Sequence, residues 1–315
     1  MQIHREGPPP GRRRRALAAA AAAALLMVAA CAPGTATAAD DERPVVLTTF
    51  TVLADIARNV AGEHLQVESI TQVGAEVHGY DPTPGDVARA SRADLVLDNG
   101  MGLETWFAQF VDDLDVPHVV VSDGVEPIDI TDDAYAGRPN PHAWMSPLRT
   151  QAYVSTMADA FADLDPAHAD DYRANAAAYA AQLQQVHDEL VAALTTLPEH
   201  QRALVTCEGA FSYLAQDAGL VERYIWPVNA EQQATPRQVA AVVEFVREYD
   251  VPAVFCESTV SDAPMQRVVE ATDATFGGTL YVDSLSEPDG PVPTYLDLLR
   301  HDVRVIVDGL TGRTS

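Results

Sequence analysis

Eight short β-branched or aliphatic runs, four on each side of one uninterrupted helix, constrain this chain more than any other feature. The first four are VVLTTF (45–50), VESIT (67–71), ADLVLD (93–98) and HVVVS (118–122). The second four are ALVTC (203–207), RYIWPV (223–228), AVFCE (253–257) and TLYVD (279–283). Helical candidates lie between them at 52–62, 84–90 and 236–249. Near-continuously apolar strands separated by helices predict parallel sheets covered on both faces. The dividing helix has Asp165 as N-cap and Pro166 as its first residue, and no later Gly or Pro interrupts it before Pro198. Some 30 residues at about 1.5 Å each span roughly 45 Å. Tyr172, Ala176, Tyr179, Leu183, Val186, Leu190 and Leu194 recur at three and four and form one apolar stripe. The expected fold class is α/β: two parallel-sheet α/β lobes joined by one long rigid helix. The expected boundaries are 45–164, 165–197 and 198–315.

Four side chains in four motifs stand where such lobes gather ligands. His78 lies in EVHGYDPTP, His142 in NPHAWMSP, Glu208 in CEGAF and Asp283 in YVDSLS. Ligands of parallel α/β sheets collect beyond the carboxyl ends of strands. Glu208 and Asp283 are expected at such ends, and His78 and His142 in loops that follow strands. Two donors from each lobe put a metal site in the cleft between them. Two imidazoles and two carboxylates without thiolate favour manganese or iron over structural zinc. Each residue also has a plainer reading: a solvated loop histidine, or a carboxylate capping a helix or turn. Glu257 is either an outer acceptor that orients a ligand or part of a fold-supporting ion pair. His64, His118, His168, His187, His200 and His301 read as surface or packing residues.

The front of the chain reads as an address. Arg12 to Arg15 form a basic segment, followed by an uncharged Ala-rich stretch, 16–30, that is too short to span a bilayer. It ends on Val28-Ala29-Ala30-Cys31, which has the form of a lipobox. The expectation is a signal peptide over 1–30, lipidation of Cys31 and a flexible tether over 31–44. The alternative is an ordinary secretory cleavage at Ala36 to Ala38, and the arginine run permits either general or twin-arginine export. The expected location is the outer face of the cytoplasmic membrane.

The full chain carries net charge -26. Loss of residues 1–30 removes five Arg and one Glu and leaves about -30. So acidic a chain argues against nucleic acid and against an anionic membrane face as partners. Cys207 and Cys256 each precede a glutamate at the end of a strand-like run. In an oxidising compartment they are either bridged or two buried thiols. A bridge between adjacent parallel strands has unfavourable geometry.

With these motifs in place, the chain resembles the metal-binding solute-binding proteins of ABC importers, a family of manganese, iron and zinc receptors. His78-Gly79-Tyr80-Asp81-Pro82-Thr83-Pro84 fits the first motif with Asp for Glu, and Pro141-His142-Ala143-Trp144 fits the second. Glu208-Gly209-Ala210-Phe211 fits the third, where many zinc receptors carry His, and Asp283-Ser284 fits the fourth. The segments Trp226 to Gln232 and Phe255-Cys256-Glu257-Ser258 are also similar. The resemblance implies two lobes on a rigid helix, a monomer, and delivery of the metal to a membrane permease with its ATPase. The His-rich loop of many zinc receptors has no counterpart between His118 and His142, where Asp129, Asp132 and Asp133 stand instead. Manganese is the favoured ligand, iron second and zinc the alternative. A secreted metallohydrolase would need an open coordination position and a general base, and no His-Glu-x-x-His or Gly-x-Ser-x-Gly segment is present, so no enzyme is expected. A surface adhesion role would require an exposed apolar patch.

Overall fold

Each of the eight runs overlaps a strand, and every strand of the described residues pairs in parallel. The computed structural model describes residues 1–2, 43–107, 116–131, 135–228 and 234–312. The signal segment, Cys31, the tether as far as residue 42, Asp132, Asp133 and the 229–232 part of the Trp226 motif lie outside the described residues. Arg43–Ser315 form one compact unit. No helix of the described residues is long and apolar enough to cross a membrane.

In the N-terminal lobe, β1 (Val45–Thr48), β2 (Gln66–Ser69), β3 (Leu95–Asp98) and β4 (His118–Val120) make one sheet in the order β2-β1-β3-β4. Central β3 is buried throughout, while edge β2 is half-buried, as its Gln-Val-Glu-Ser sequence requires. The order reverses between β1 and β3, so the loops after these strands diverge and leave a crevice. Helices α1 (Thr51–Ala61) and α2 (Pro84–Ala90) follow β1 and β2.

The C-terminal lobe holds β5 (Ala203–Glu208) paired with β6 (Val221–Trp226), and β7 (Ala253–Glu257) paired with β8 (Thr275–Leu280). The two pairs meet at β5 and β7, where Cys207 and Cys256 are disulfide-bonded with a Cα separation of 4.9 Å. No ladder joins β5 to β7. Of the two readings, bridged or two buried thiols, the structure has the bridge, despite the unfavourable geometry expected between adjacent strands. The last strand starts four residues earlier than 279–283. Its Thr-Phe-Gly-Gly start reads poorly as a strand, yet it is required by close packing. A Cβ on Gly277 would come within 2.4 Å of the Phe255 ring. Asp283 therefore stands three residues past β8 rather than at its last position.

Helix α3 (Pro147–Leu164), which the sequence pattern did not single out, forms a hairpin with α4 (Ala169–Leu194). Gln151 bonds Gln184 and Phe161 meets Tyr172, so the two run antiparallel. The seven stripe residues of α4 are buried together with His187. The long helix begins at Pro166 as expected, its first turn 3-10 and the rest α-helical over Ala169–Leu194, and it ends short of 197. Asp165 closes α3, Pro166–His168 make a 3-10 turn, and the Asp165 carboxylate accepts from His168 Nδ1 at 2.6 Å and Tyr172 Oη at 2.7 Å. Around α4 one apolar core runs from Val46 and Phe50 through Trp144 to Tyr295 and Ile306, so both lobes share it. Helices α5 (Ser212–Ala218), α6 (Pro236–Glu248), α7 (Ala263–Ala271) and α8 (Tyr295–Thr311) complete the C-terminal lobe.

Candidate metal centre

The loop after β2 delivers His78. Both oxygens of the Glu76 carboxylate are engaged, one by the backbone N–H of His78 and the other by that of Gly79, each at 2.8 Å. Downstream, Thr83 and Asp86 form a capping box that starts α2, and Asp86 also accepts from Tyr80 Oη at 3.1 Å. The HGYDPTP motif is thus a helix entry bent so that His78 points inward. His142 precedes a 3-10 turn, Ala143–Met145, whose Trp144 indole donates to the carbonyl of Val282 at 3.1 Å. That bond brings the NPHAW segment of one lobe against the residue before Asp283 in the other.

Glu208 is the last residue of β5. Its backbone N–H donates to Glu257 Oε2 at 3.2 Å, which makes Glu257 an anchor for the end of β5. Gly209 permits the chain to turn there, because a Cβ would lie 2.7 Å from the Pro227 carbonyl. At the start of α5, Glu222 accepts from Phe211 N–H and Ser212 Oγ. Beside Asp283, Ser284 Oγ receives the N–H of Gly74 at 2.7 Å and Leu285 N–H donates to Thr51 Oγ1 at 3.0 Å. These bonds tie the Asp283 turn to the N-terminal lobe.

The four side chains converge. His78 Nε2 lies 3.2 Å from His142 Nε2 and 3.5 Å from Glu208 Oε1, and His142 Nε2 lies 3.9 Å from the same oxygen. Donor atoms of His78, His142 and Asp283 all fall within 4.8 Å of one another. The four are nearly sealed from solvent, at 9%, 0%, 1% and 2% exposure in chain order. Among the described residues the other tight cluster of potential donors is Cys207, Cys256 and Glu257, whose two sulfurs are consumed by the disulfide.

Burial sets the charge state of the site. It pushes the His78 imidazole down to about 4, against the opposing pull of the Glu76 carboxylate. It takes His142 well below the ordinary range, helped by the neighbouring His78. Both rings are therefore neutral near pH 7, the form that ligates a metal. Burial, with the Glu76 charge, raises Asp283 to about 7. Its Oδ1 is buried with no hydrogen-bond partner. A buried acceptor left without a donor is costly unless a proton or cation meets it. Burial likewise raises Glu257 to about 8.

Two supporting residues escaped the sequence reading, Glu76 and Asn140. Asn140 stands two positions before His142 and contacts it directly, with Oδ1 2.9 Å from His142 Nδ1. A ligating histidine needs an acceptor on its far nitrogen, and an Asn two residues upstream was the available signal. The remaining histidines of the described residues lie elsewhere: His118 pairs with Asp98 on β3, which raises its pKa, and His64 stacks on His168.

Comparison with known proteins gives a consistent picture. Residues 46–309 match the ZnuA family, described as zinc-uptake complex component A, periplasmic. The chain is 50% identical to the iron-binding protein YfeA of Yersinia pestis over 265 residues, 84% of this chain and 85% of that protein. It is 35% identical to the manganese-binding lipoprotein MntA of Halalkalibacterium halodurans over 278 residues, 87% of this chain and 91% of that one. The fold matches the Mn-bound periplasmic metal binding protein from Candidatus Liberibacter asiaticus with a TM-score of 0.80 at 37% identity, covering 85% of this chain and 100% of that one.

Proposed function

The chain belongs to the periplasmic zinc-uptake component A family, and from that premise we propose that it is an extracytoplasmic solute-binding receptor that captures a divalent transition metal, manganese first and iron second, and delivers it to an ABC permease. The metal is cargo, held in the cleft by His78, His142, Glu208 and Asp283. The observation that carries this reading is the convergence of two neutral imidazoles and two buried carboxylates, one of them with an oxygen lacking any donor. Such an enclosure suits capture better than turnover, and the family is one of transport-binding proteins.

The donor chemistry favours manganese or iron, because Glu208 occupies a position that an imidazole would tune toward zinc. Zinc is the second reading, supported by the description of the matched family. Lobes spanning 45–164 and 198–315 on a linking segment 165–197 are the working division. Permease and ATPase are the partners that family membership brings, and a monomer is the proposed state. The finer location, a lipid anchor at Cys31 on the outer face of the cytoplasmic membrane, is supported by the lipoprotein designation of relatives such as MntA.

Calorimetric titration tests the site. Wild-type protein should bind about one manganese ion tightly, and His78→Ala and His142→Ala should each lose most of that affinity. Near-wild-type binding in both variants would sink the assignment. Competition between manganese and zinc then decides the metal.

A further inference from the structure

We propose that Asn140 is a positioning residue that couples the arrangement of the two lobes to the donor state of His142. The inference rests on the reading of His142 as a metal donor and adds what prepares it. Asn140 is 2% exposed, and both ends of its amide are committed. Oδ1 accepts from the backbone N–H of His142 at 3.0 Å and faces His142 Nδ1 at 2.9 Å. Nδ2 donates to the Gly209 carbonyl at 2.6 Å and to Ser212 Oγ at 3.2 Å.

This pattern removes the usual ambiguity of an amide side chain. The Gly209 carbonyl can only accept, so the nitrogen must face it. The oxygen then faces His142, and an amide oxygen can only accept. Nδ1 of His142 must carry the proton, which leaves the Nε2 lone pair directed at His78 and Glu208. The second lobe therefore selects the tautomer of a residue in the first. Its grip is threefold, since Tyr213 Oη of α5 also donates to the Asn140 carbonyl at 2.7 Å.

Separation of the lobes would break the bonds to Gly209, Ser212 and Tyr213. The amide would then be held only by the backbone N–H of His142, and Nδ1 would be less strictly the protonated position. His142 is thus primed for metal with the lobes together, and a share of its population presents N–H to the metal with the lobes apart. Holding and release of the ion are linked to lobe contact through one amide.

The test uses full-length protein labelled with 15N-histidine, manganese(II) as the probe, and the variants Asn140→Ala, Asn140→Asp and His142→Ala. In metal-free wild-type protein, the imidazole resonances that vanish in His142→Ala should show protonated Nδ1 and bare Nε2. Asn140→Ala should mix the tautomers and weaken manganese binding about ten- to a hundredfold, the usual effect of losing an outer partner. Asn140→Asp keeps an acceptor for Nδ1 but sets a carboxylate against the Gly209 carbonyl. It should retain the tautomer and release manganese faster in a chelator chase. Two results overturn the inference: a wild-type His142 that is mixed or protonated on Nε2, or an Asn140→Ala protein with wild-type tautomer and affinity. The first is measured without any Asn140 variant, so it decides even if one fails to fold. Unchanged binding in His142→Ala would instead overturn the donor assignment itself, whatever the Asn140 variants do.

Discussion

Lowering the pH from 7 to 5 should weaken manganese binding about fiftyfold, and the proton responsible should belong to Asp283 rather than to either histidine. Ordinary imidazoles, with pKa about 6.5, would bring two protons into competition with the metal in this range. In this site burial holds His78 near 4 and His142 well below its ordinary value, so neither ring competes until the solution is more acidic. Burial and the Glu76 charge hold Asp283 at about 7, so below that pH the metal must displace its proton. One proton per ion means about tenfold in affinity per pH unit well below 7, and about fiftyfold from pH 7 to 5 because the group is already half protonated at pH 7. The slope should steepen below about 4, as His78 joins. The same shift fixes the sign for the metal-free fold. Asp283 has its folded pKa raised from 3.8, so between 3.8 and about 7 the native state holds a proton that the unfolded state has lost. Stability of the metal-free protein therefore falls as pH rises through that window, and metal restores it. Calorimetry in buffers of different ionisation enthalpy counts the protons released, and Asp283→Asn should flatten the slope between pH 5 and 7. Two protons released around pH 6.5, or an undiminished slope in Asp283→Asn, would refute the argument.

Three further outcomes are expected. Glu208→His should raise the zinc-to-manganese affinity ratio, because a borderline metal gains an imidazole and the site loses a negative charge; a flat ratio in competition titrations would remove Glu208 as the selector. Cys207→Ser should destabilise the fold by up to about 4 kcal/mol in the chain-entropy view, from the 49-residue separation it closes, as read by guanidinium unfolding. An unchanged midpoint would mean that the bridge adds nothing. Cys31→Ser should release the protein from membranes into the soluble fraction with manganese binding intact, since a diacylglyceryl group supplies the two chains that stable anchoring needs; a wild-type protein that already fractionates as soluble would favour secretory cleavage at Ala36 to Ala38.

The strand runs, the stripe on α4 and the loop positions of His78 and His142 were legible because local periodicity and turn chemistry encode them over a few residues. Tyr172 to Leu194 are buried at the positions their spacing predicts. Local reading failed where a distant contact overrules local preference. Gly277 and Gly278 look like a strand breaker, yet in β8 the Phe255 ring leaves no room for a Cβ at Gly277, and Gly278 has a positive φ and lies against Val305. At Asp165 the reading was partial: it caps the 3-10 turn that starts at Pro166, as expected, but it also closes α3, a helix the pattern did not single out. The sequence by itself supplied the candidate donors, with Glu208 at a strand end and the two histidines in loops, while Asp283 falls three residues past β8. Only the tertiary structure decided their charge and readiness. Burial among both lobes lowers the imidazoles and raises Asp283. The tautomer of His142 is chosen by an amide bonded to a carbonyl 69 residues away. Proton affinity and tautomer depend on solvent exclusion and on partners remote in sequence, and no local pattern specifies either.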